Sequence, residues 1–408
     1  MERRVAITGM GIVTAHGVGK ETCWAKTANG ESGIRPVSLF DTARYRTQTA
    51  GEISDLPSVQ WRRFRPSRMD RSSNILHAAF LEAVKEAGLS AEHLASNAPL
   101  CAIGTTLGGM SSGEKFHAAA IGCGSGLALP SQVFDHLAHL QPLHLMEEHG
   151  IPGIPVVFTN ACASGANAVG YAFRIVRGGA RDVAVCGGFD ALCEFVFAGF
   201  HSLQALTPEV CRPFDRGRNG MILGEGAGVL VLESWDRAES RGARILGEVI
   251  GYGESTDAFH MTRPDPGGAG AAASMRFALA DARVHPDAVG YINAHGTGTL
   301  YNDLAEAAAI RTVFGRAGSE VPTSSTKAMI GHVLGGAGAV EAILTVLALR
   351  NRRLPVNLNY HTPDPDCGLR VVSEPCTAPL TDIALSNSFG FGGSNASLVF
   401  RAAVGDGE

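Results

Sequence analysis

One cysteine and two histidines lie in three separate glycine-rich segments of the chain. Cys162 stands in residues 159–168, after the apolar run 154–158 and before a helix-like stretch that extends to Arg177. A cysteine at such a strand-to-helix turn lies at the positive end of a helix dipole, which stabilises the reactive thiolate. A buried, unreactive cysteine is an equally good interpretation of this segment alone. The other segments must decide whether Cys162 is a nucleophile.

The two histidines follow predicted strands, where active sites of α/β proteins gather. His295 begins the sequence HGTGT at 295–299, and His332 ends the segment 324–332. A cysteine with one histidine is typical of a papain-like hydrolase, which needs one base and one orienting carboxamide. Two histidines suit another task better, because two neutral N–H donors aimed at one oxygen stabilise an enolate. The pattern therefore favours carbon–carbon bond formation over hydrolysis.

Composition narrows the possible functions. The 408 residues carry a formal net charge of -5, which argues against general nucleic-acid binding. The nine cysteines are scattered without a CxxC pair, so we expect no disulfide framework and a cytoplasmic location. We find no signal sequence and no apolar run of transmembrane length, so we expect no membrane span. His136 and His139 have no acidic ligand at metal-site spacing, and neither a metal nor another cofactor is expected.

Strands alternate with helices along the chain, which predicts an α/β fold with mainly buried sheets. Residues 5–11 predict a strand that ends in G-x-G, followed by a turn and a loop, but nucleotide binding is not expected because the third glycine is missing. A similar strand with G-x-G at 245–253 indicates two similar halves, residues 1–242 with Cys162 and residues 243–408 with both histidines. Residues 111–130 are expected to be irregular, before one histidine-rich helix.

Four segments together resemble the β-ketoacyl-acyl carrier protein (ACP) synthases of the thiolase superfamily. These are the turn around Cys162, HGTGT at 295–299, K-x-x-x-GH at 327–332 and NSFGFGGSN at 387–395. They agree with that family in order and spacing, over nearly the whole chain. The resemblance implies the duplicated five-layer αβαβα thiolase fold and a dimer. It also implies decarboxylative Claisen condensation of malonyl-ACP with an acyl group.

The resemblance assigns the catalytic roles. Cys162 would carry the acyl group as a thioester, while His295 and His332 would hold the malonyl thioester oxygen and stabilise the enolate. The backbone N–H groups of Cys162 and Phe391 would form an oxyanion hole for acyl transfer.

A charged pair of the family matches Lys327 and Glu341. Glu341 lies in an otherwise apolar stretch and therefore needs a partner. We expect Lys327 to organise His332 rather than to transfer a proton.

The resemblance also implies a substrate channel. Thr297 and Thr299 match threonines that contact the pantetheine arm of the carrier. Gly390 and Gly392 flank Phe391 in a segment that matches a gate loop, and they would let its ring swing to admit acyl chains. The remaining candidates for substrate contact, each a core residue if read alone, are Leu107, Met110, Phe200, Met221 and Phe389.

Five arginines lie within residues 61–71 of this acidic chain. Alone, such a cluster is typical of a solvated face. Because ACP is strongly acidic, Arg62, Arg65 and Arg68 are candidates for a docking site. Gln204 stands where the fatty-acid elongation enzymes of the family carry an arginine, so the carrier interface is expected to differ.

Two biological roles remain open for a catalytic subunit. One is a homodimer of type II fatty acid synthesis. The other is the ketosynthase of a type II polyketide or polyene system, paired with a chain-length-factor-like subunit that lacks the cysteine. Departures from the fatty-acid pattern at Gln204, at 189–200 and at 295–303 favour the second. A non-catalytic subunit that only shapes a pocket is disfavoured by Cys162 and both histidines.

Overall fold

The computed structural model describes residues 2–56, 58–122, 129–315, 318, 320–376 and 381–403. In that part of the chain the strands are β1 (Val5–Thr14), β2 (Gly17–Val18), β3 (Arg35–Pro36), β4 (Thr49–Ala50), β5 (Leu100–Gly104), β6 (Val156–Phe158), β7 (Val183–Asp190), β8 (Gly226–Ser234), β9 (Gly247–Thr256), β10 (Tyr291–Asn293), β11 (Thr323–Ser324), β12 (Ile383–Gly390) and β13 (Ser394–Ala402). The helices are α1 (Lys20–Ala28), α2 (Arg71–Glu86), α3 (Ala91–Asn97), α4 (Met110–Gly122), α5 (Pro130–Asp135), α6 (Leu140–His149), α7 (Ser164–Arg177), α8 (Glu194–Ser202), α9 (Trp235–Ser240), α10 (Ala269–Ala282), α11 (Leu300–Phe314), α12 (Lys327–Ile330) and α13 (Ala337–Asn351).

One large mixed sheet contains two groups of five strands with the same internal order. The first group runs β6-β5-β7-β8-β1 and the second runs β11-β10-β12-β13-β9, so both read 3-2-4-5-1 in chain order. In each group the strand that comes last in the chain, β8 or β13, is antiparallel to both of its neighbours in the sheet. The other three strands on one side of it, β6-β5-β7 or β11-β10-β12, are parallel to one another. The groups join where residues 5–7 of β1 pair with residues 247–249 of β9. The shared order confirms the predicted duplicated α/β fold; the boundary at residue 242, between α9 and β9, stays a prediction.

Helices form three layers around the two strand groups. Helix α2 packs on β1 and β8, α10 packs on β9 and β13, and α7 and α13 lie between the groups. Every residue of α13 from Ala337 to Leu349 is buried. The segment Leu334–Asn351 is long and apolar enough to cross a membrane by length and composition, but 89% of it is buried inside the protein. The resulting α–β–α–β–α order is the thiolase fold.

The two G-x-G sequences let a helix approach each strand group closely. A Cβ on Gly11 of β1 would lie 1.9 Å from the carbonyl oxygen of Ala79 in α2. A Cβ on Gly253 of β9 would lie 2.2 Å from the carbonyl oxygen of Ser274 in α10. A one-residue irregularity in strand pairing precedes each G-x-G. The first strand therefore continues through its glycines to Thr14, and the predicted turn and loop there are wrong.

Two further local predictions are wrong. The stretch expected to be irregular contains α4, although residues 123–128, including Cys123, lie outside the described residues. The alanines at 118–120 are strong helix formers and outweigh the nearby glycines. The expected histidine-rich helix is two helices, α5 and α6. Between them the side-chain amide of Gln141 donates to the carbonyl of Asp135 at 2.5 Å, which satisfies the end of α5.

Candidate active site

Cys162 lies in the turn between β6 and α7. Ala161 before it has a φ of 55°, in the left-handed region that non-glycine residues rarely adopt. The Ser164 hydroxyl fixes this turn, because it accepts the N–H of Asn160 at 3.0 Å and donates to the carbonyl of Ala161 at 2.5 Å. These hydrogen bonds stabilise the backbone turn around Cys162, of which 7% is exposed.

The structure brings both predicted histidines to this cysteine. His332 Nε2 lies 3.0 Å from Cys162 Sγ. The rings of His295 and His332 are 5.3 Å apart and nearly perpendicular, at 83°. All three side chains are buried and line one cavity. Residues from three distant segments therefore form one site.

The cavity has a volume of about 280 Å³ and opens to the surface. The predicted substrate-contact residues that line it are Phe200, Met221, Thr297, Thr299, Phe389, Gly390, Phe391 and Gly392. Leu107 and Met110 are not part of the lining, contrary to the prediction. They pack in one apolar cluster with Phe200 and Phe391, whose stacked rings lie 5.7 Å apart and close this side of the cavity.

The two glycines beside Phe391 differ in their freedom. A Cβ on Gly390 would lie 3.1 Å from the backbone nitrogen of Cys162, so this glycine is needed for close packing. Gly392 has a φ of 84°, and no atom lies within 4 Å of where its Cβ would be. Its N–H donates to the carbonyl of Met261 at 2.7 Å. The loop is therefore closely packed at Gly390 and open at Gly392, while the swing of Phe391 stays a prediction.

The electrostatics of the site favour neutral groups. Burial raises the pKa of the Cys162 thiol to about 12, partly opposed by the Lys327 charge and by a hydrogen bond from the Phe391 N–H. Stabilisation of the thiolate by the strand-to-helix turn is therefore outweighed. Burial, and then the Lys327 charge, hold the pKa values of His295 and His332 well below the usual histidine value. Near pH 7 the resting site contains a neutral thiol and two neutral imidazoles.

Lys327 and Glu341 form a buried ion pair in which Nζ donates to Oε1. Each residue is 1% exposed. Burial raises the pKa of Glu341 to about 7, and the Lys327 charge lowers it in part. Removing one partner of such a pair leaves an uncompensated buried charge. The predicted pairing is thus present as a contact, while the expected role of Lys327 in organising His332 stays a prediction.

Two buried carboxylates of α11 hold the loop that carries His295, and the sequence analysis missed both. The oxygens of Glu306 accept the N–H groups of residues 295 and 296 at 2.8 Å each. Asp303 accepts those of residues 297 and 298 at 3.1 and 3.2 Å. Burial raises the pKa of Glu306 to about 7. The available signal was two acidic residues at i, i+3 in the predominantly apolar segment 300–310 that follows HGTGT.

Asp190, at the end of β7, is a third residue that was missed as part of the site framework. Its carboxylate accepts the N–H groups of Thr106 and Leu107 at 2.9 Å each, and that of Gly335 at 2.6 Å. Burial raises its pKa to about 6. One buried acceptor therefore connects the loop after β5 with the segment that precedes α13.

The fold places the arginines of residues 61–71 in two different environments. Arg62, Arg65 and Arg68 are exposed but are not part of the cavity lining. Their segment is anchored to α6 because the Glu148 carboxylate accepts the N–H of Arg62 at 2.7 Å. Arg71 instead turns inward and forms an ion pair with buried Glu225. The docking role of the three exposed arginines stays a prediction.

Comparisons with known proteins agree with this geometry. Residues 2–238 match the family described as "Beta-ketoacyl synthase, N-terminal domain", and residues 246–361 match its C-terminal domain. The chain is 37% identical over 412 residues to 3-oxoacyl-[acyl-carrier-protein] synthase 2 of Synechocystis sp., covering 98% of both chains. It is 38% identical over 410 residues to the protein of that name from Staphylococcus aureus strain COL, again covering 98% of both.

Two solved structures show the same relationship. One is described as "The ishigamide ketosynthase/chain length factor"; it has a TM-score of 0.93 and 38% identity, with 99% of this chain and 100% of that chain covered. Another contains a type II PKS acyl-carrier protein in complex with its ketosynthase, with a TM-score of 0.89, 29% identity and coverage of 99% and 100%.

The fold, the Cys–His–His site and these relatives define a thiolase-fold acyltransferase. The chain belongs to the β-ketoacyl synthase family, as the resemblance predicts.

The Lys327 charge gives a testable prediction for the reactivity of Cys162. In Lys327→Met the thiol loses a positive charge that lowers its pKa. Alkylation of Cys162 by iodoacetamide at a fixed pH should therefore slow, by about three-fold for each unit by which the thiol pKa rises, because the thiolate fraction falls while the thiolate becomes more nucleophilic. The rate is measured by mass spectrometry of the peptide that contains Cys162. Lys327→Arg keeps the charge and should react faster than Lys327→Met; equal rates for wild type and a folded Lys327→Met protein would contradict the assignment.

Proposed function

We propose that this chain is the catalytic ketosynthase subunit of a type II polyketide or polyene system. It would extend an acyl group on Cys162 with malonyl-ACP by decarboxylative Claisen condensation, giving β-ketoacyl-ACP. The observation that carries the catalytic role is the 3.0 Å contact between Cys162 Sγ and His332 Nε2, in a cavity that His295 and Phe391 also line. The choice of pathway rests on the sequence departures from the fatty-acid pattern.

The surroundings of the two histidine rings support a role for both imidazoles as N–H donors from Nε2. The Nδ1 atoms of His295 and His332 are buried without a hydrogen-bond partner among the described residues. A proton on Nδ1 would therefore be a buried, unpaired donor. The tautomer with hydrogen on Nε2 avoids this cost and directs the donor of His332 toward the sulfur of Cys162.

Acyl transfer would begin with attack of Cys162 Sγ on the thioester carbonyl of acyl-ACP. The Nε2–H of His332 and the Phe391 N–H would stabilise charge on the sulfur as its proton departs. The N–H groups of Cys162 and Phe391 would hold the oxyanion of the tetrahedral intermediate. The carbon–sulfur bond to the carrier then breaks, and the carrier thiol leaves with the proton. This step is covalent catalysis with a ping-pong order.

Condensation would use both histidines. Their two Nε2–H groups would hold the thioester oxygen of malonyl-ACP, and loss of carbon dioxide would leave an enolate on that oxygen. The enolate carbon attacks the acyl-Cys162 carbonyl, the acyl–sulfur bond breaks with its electron pair on Cys162 Sγ, and β-ketoacyl-ACP is released. The thiolate then takes up a proton from solvent, which restores the neutral thiol. The low pKa values of His295 and His332 suit this step, since neither ring would enter it as an imidazolium.

The proposed partners are acyl- and malonyl-loaded ACP and a chain-length-factor-like subunit. Among the structural relatives, one with a TM-score of 0.82 and 28% identity is described as a ketosynthase in complex with its chain length factor, from Xenorhabdus doucetiae. Gln204, one of the departures from the fatty-acid pattern, lies in the cavity lining. The described cysteines between Cys23 and Cys367 are free thiols, which fits the proposed cytoplasmic location.

A homodimer of type II fatty acid synthesis is the second candidate. The names of the Synechocystis and Staphylococcus relatives favour it. A non-catalytic chain-length-factor-like subunit is a weaker alternative, because it would have no use for the buried Cys–His–His site.

Acylation of Cys162 tests the catalytic proposal. Incubation with acyl-ACP should add the mass of the acyl group to the peptide that contains Cys162, because the thiol is the proposed acceptor. Cys162→Ala should abolish this mass increase. Cys23→Ala is the matched control, since Cys23 is also a buried free thiol but does not line the cavity, and it should acylate normally. An unmodified Cys162 in folded wild-type protein would reject the proposal.

Co-expression tests the choice between the two biological roles. We expect the chain to form a stable complex with a chain-length-factor-like subunit encoded near it, and to elongate acyl chains only in that complex. The measurement is the subunit composition by size-exclusion chromatography, together with product length by mass spectrometry. A fully active homodimer that ignores this subunit would assign the chain to fatty acid synthesis.

A further inference from the structure

The rim of the cavity carries a cation that the proposed reaction does not use. Arg263 is exposed and lines the outer part of the cavity together with Leu300 and Tyr301, which are 52% and 57% exposed. The guanidinium carbon of Arg263 lies 4.9 Å from the centre of the Tyr301 ring. Within the described parts of the chain, Arg263 forms no ion pair with a carboxylate.

The other charged groups of the cavity wall are already engaged or neutral. Asp257 accepts the side-chain amide of Asn395 at 2.7 Å and the N–H of Asp265 at 3.0 Å. His295 and His332 are uncharged near pH 7. Of the residues that line the cavity, Arg263 is therefore the cation that remains available to a ligand.

The position of Arg263 limits which part of a ligand it can meet. Under the proposed function, a carrier-bound thioester must reach Cys162 at the inner end of the cavity. A folded carrier cannot enter a space of about 280 Å³, so the prosthetic arm enters and the carrier stays outside. A phosphodiester joins that arm to the carrier, and this anionic group must therefore stop near the rim.

We propose that Arg263, held by Tyr301, binds the phosphodiester of the phosphopantetheine arm and makes the site selective for phosphorylated arms. This inference rests on the proposed function and adds a specificity residue to it. The contact with the Tyr301 ring uses no hydrogen-bond acceptor, so the guanidinium N–H groups remain available, and a pair of them matches two phosphate oxygens. The contact also limits the rotamers of a long side chain before the ligand arrives, which lowers the entropic cost of binding.

A pair of matched thioesters tests the proposal. We would measure kcat/KM for acylation of Cys162 by an acyl-pantetheine and by the same acyl-4′-phosphopantetheine, and take the ratio as the phosphate preference. Wild type should prefer the phosphorylated thioester, and Arg263→Gln should reduce that preference by about five-fold, the effect of one exposed charge pair. Added salt should lower the wild-type preference, because the rim is open to solvent. Arg263→Lys keeps the charge but loses the paired N–H donors of the guanidinium. Its phosphate preference should therefore lie between those of wild type and Arg263→Gln.

The matched control is Arg276→Gln, which removes the same charge from the exposed face of α10 outside the cavity lining. It should keep the wild-type preference. An unchanged preference in folded Arg263→Gln, or an equal loss for both thioesters, would overturn the assignment. Acylation of wild type without any phosphate preference would also overturn it but would leave the proposed function intact. Absence of acylation by either thioester would instead contradict the proposed function.

Coenzyme A carries the same phosphorylated arm, so the two sources need separate measurements. Acyl-ACP and acyl-coenzyme A are compared in wild type and Arg263→Gln. A loss of about five-fold with acyl-ACP supports binding of the carrier's phosphodiester. A loss with acyl-coenzyme A alone would overturn that assignment.

Discussion

The close packing of α7 against α13 is the constraint on which the active site depends. A Cβ on Gly165 of α7 would lie 3.0 Å from the backbone nitrogen of Ala339 in α13, and a Cβ on Gly338 would lie 2.6 Å from a backbone nitrogen of α7. Cys162 directly precedes α7 and His332 shortly precedes α13. Contact between the N-terminal ends of these helices therefore joins two side chains that are 170 residues apart. The duplicated topology explains the arrangement, because each half supplies one central helix.

This packing also determines the charge state of the site. It removes the thiol and both imidazoles from water, and burial is the largest cause of all three pKa shifts. The Lys327 charge contributes to the pKa shifts of all three groups. Its ion pair with Glu341 of α13 holds that charge in place. A buried ion pair is weak evidence for stability but adds a fixed local field. Its effect here is to oppose imidazolium and to favour thiolate, which fits a site that needs two neutral N–H donors.

Much of this arrangement could be predicted from the sequence. The alternation of strands and helices predicted the α/β fold, and the glycine-rich segments that follow predicted strands indicated Cys162, His295 and His332. The dipole argument for a stabilised thiolate at Cys162 is local, and it omits burial by segments far away in the chain, which raises the thiol pKa. The spacing of the five arginines also does not reveal that buried Glu225 draws Arg71 inward.

The remaining differences come from contacts that exist only in the folded chain. The G-x-G of β1 has the composition of a turn, but its glycines admit α2 and the strand continues. Leu107 is apolar, as a pocket residue would be, but it packs in the apolar cluster with Phe391 and is not part of the cavity wall. The sequence pattern does not identify Arg263, because the rim of the cavity is formed by separate segments that meet only in the folded chain.

The central claim is that the histidine pair generates the carbanion while Cys162 only holds the acyl group. Release of carbon dioxide from malonyl-ACP by Cys162→Gln tests it most directly, measured together with the formation of β-ketoacyl-ACP. The account predicts that this variant still converts malonyl-ACP to acetyl-ACP and carbon dioxide but forms no condensation product. Condensation without the thiol, or loss of decarboxylation in the folded variant, would contradict it.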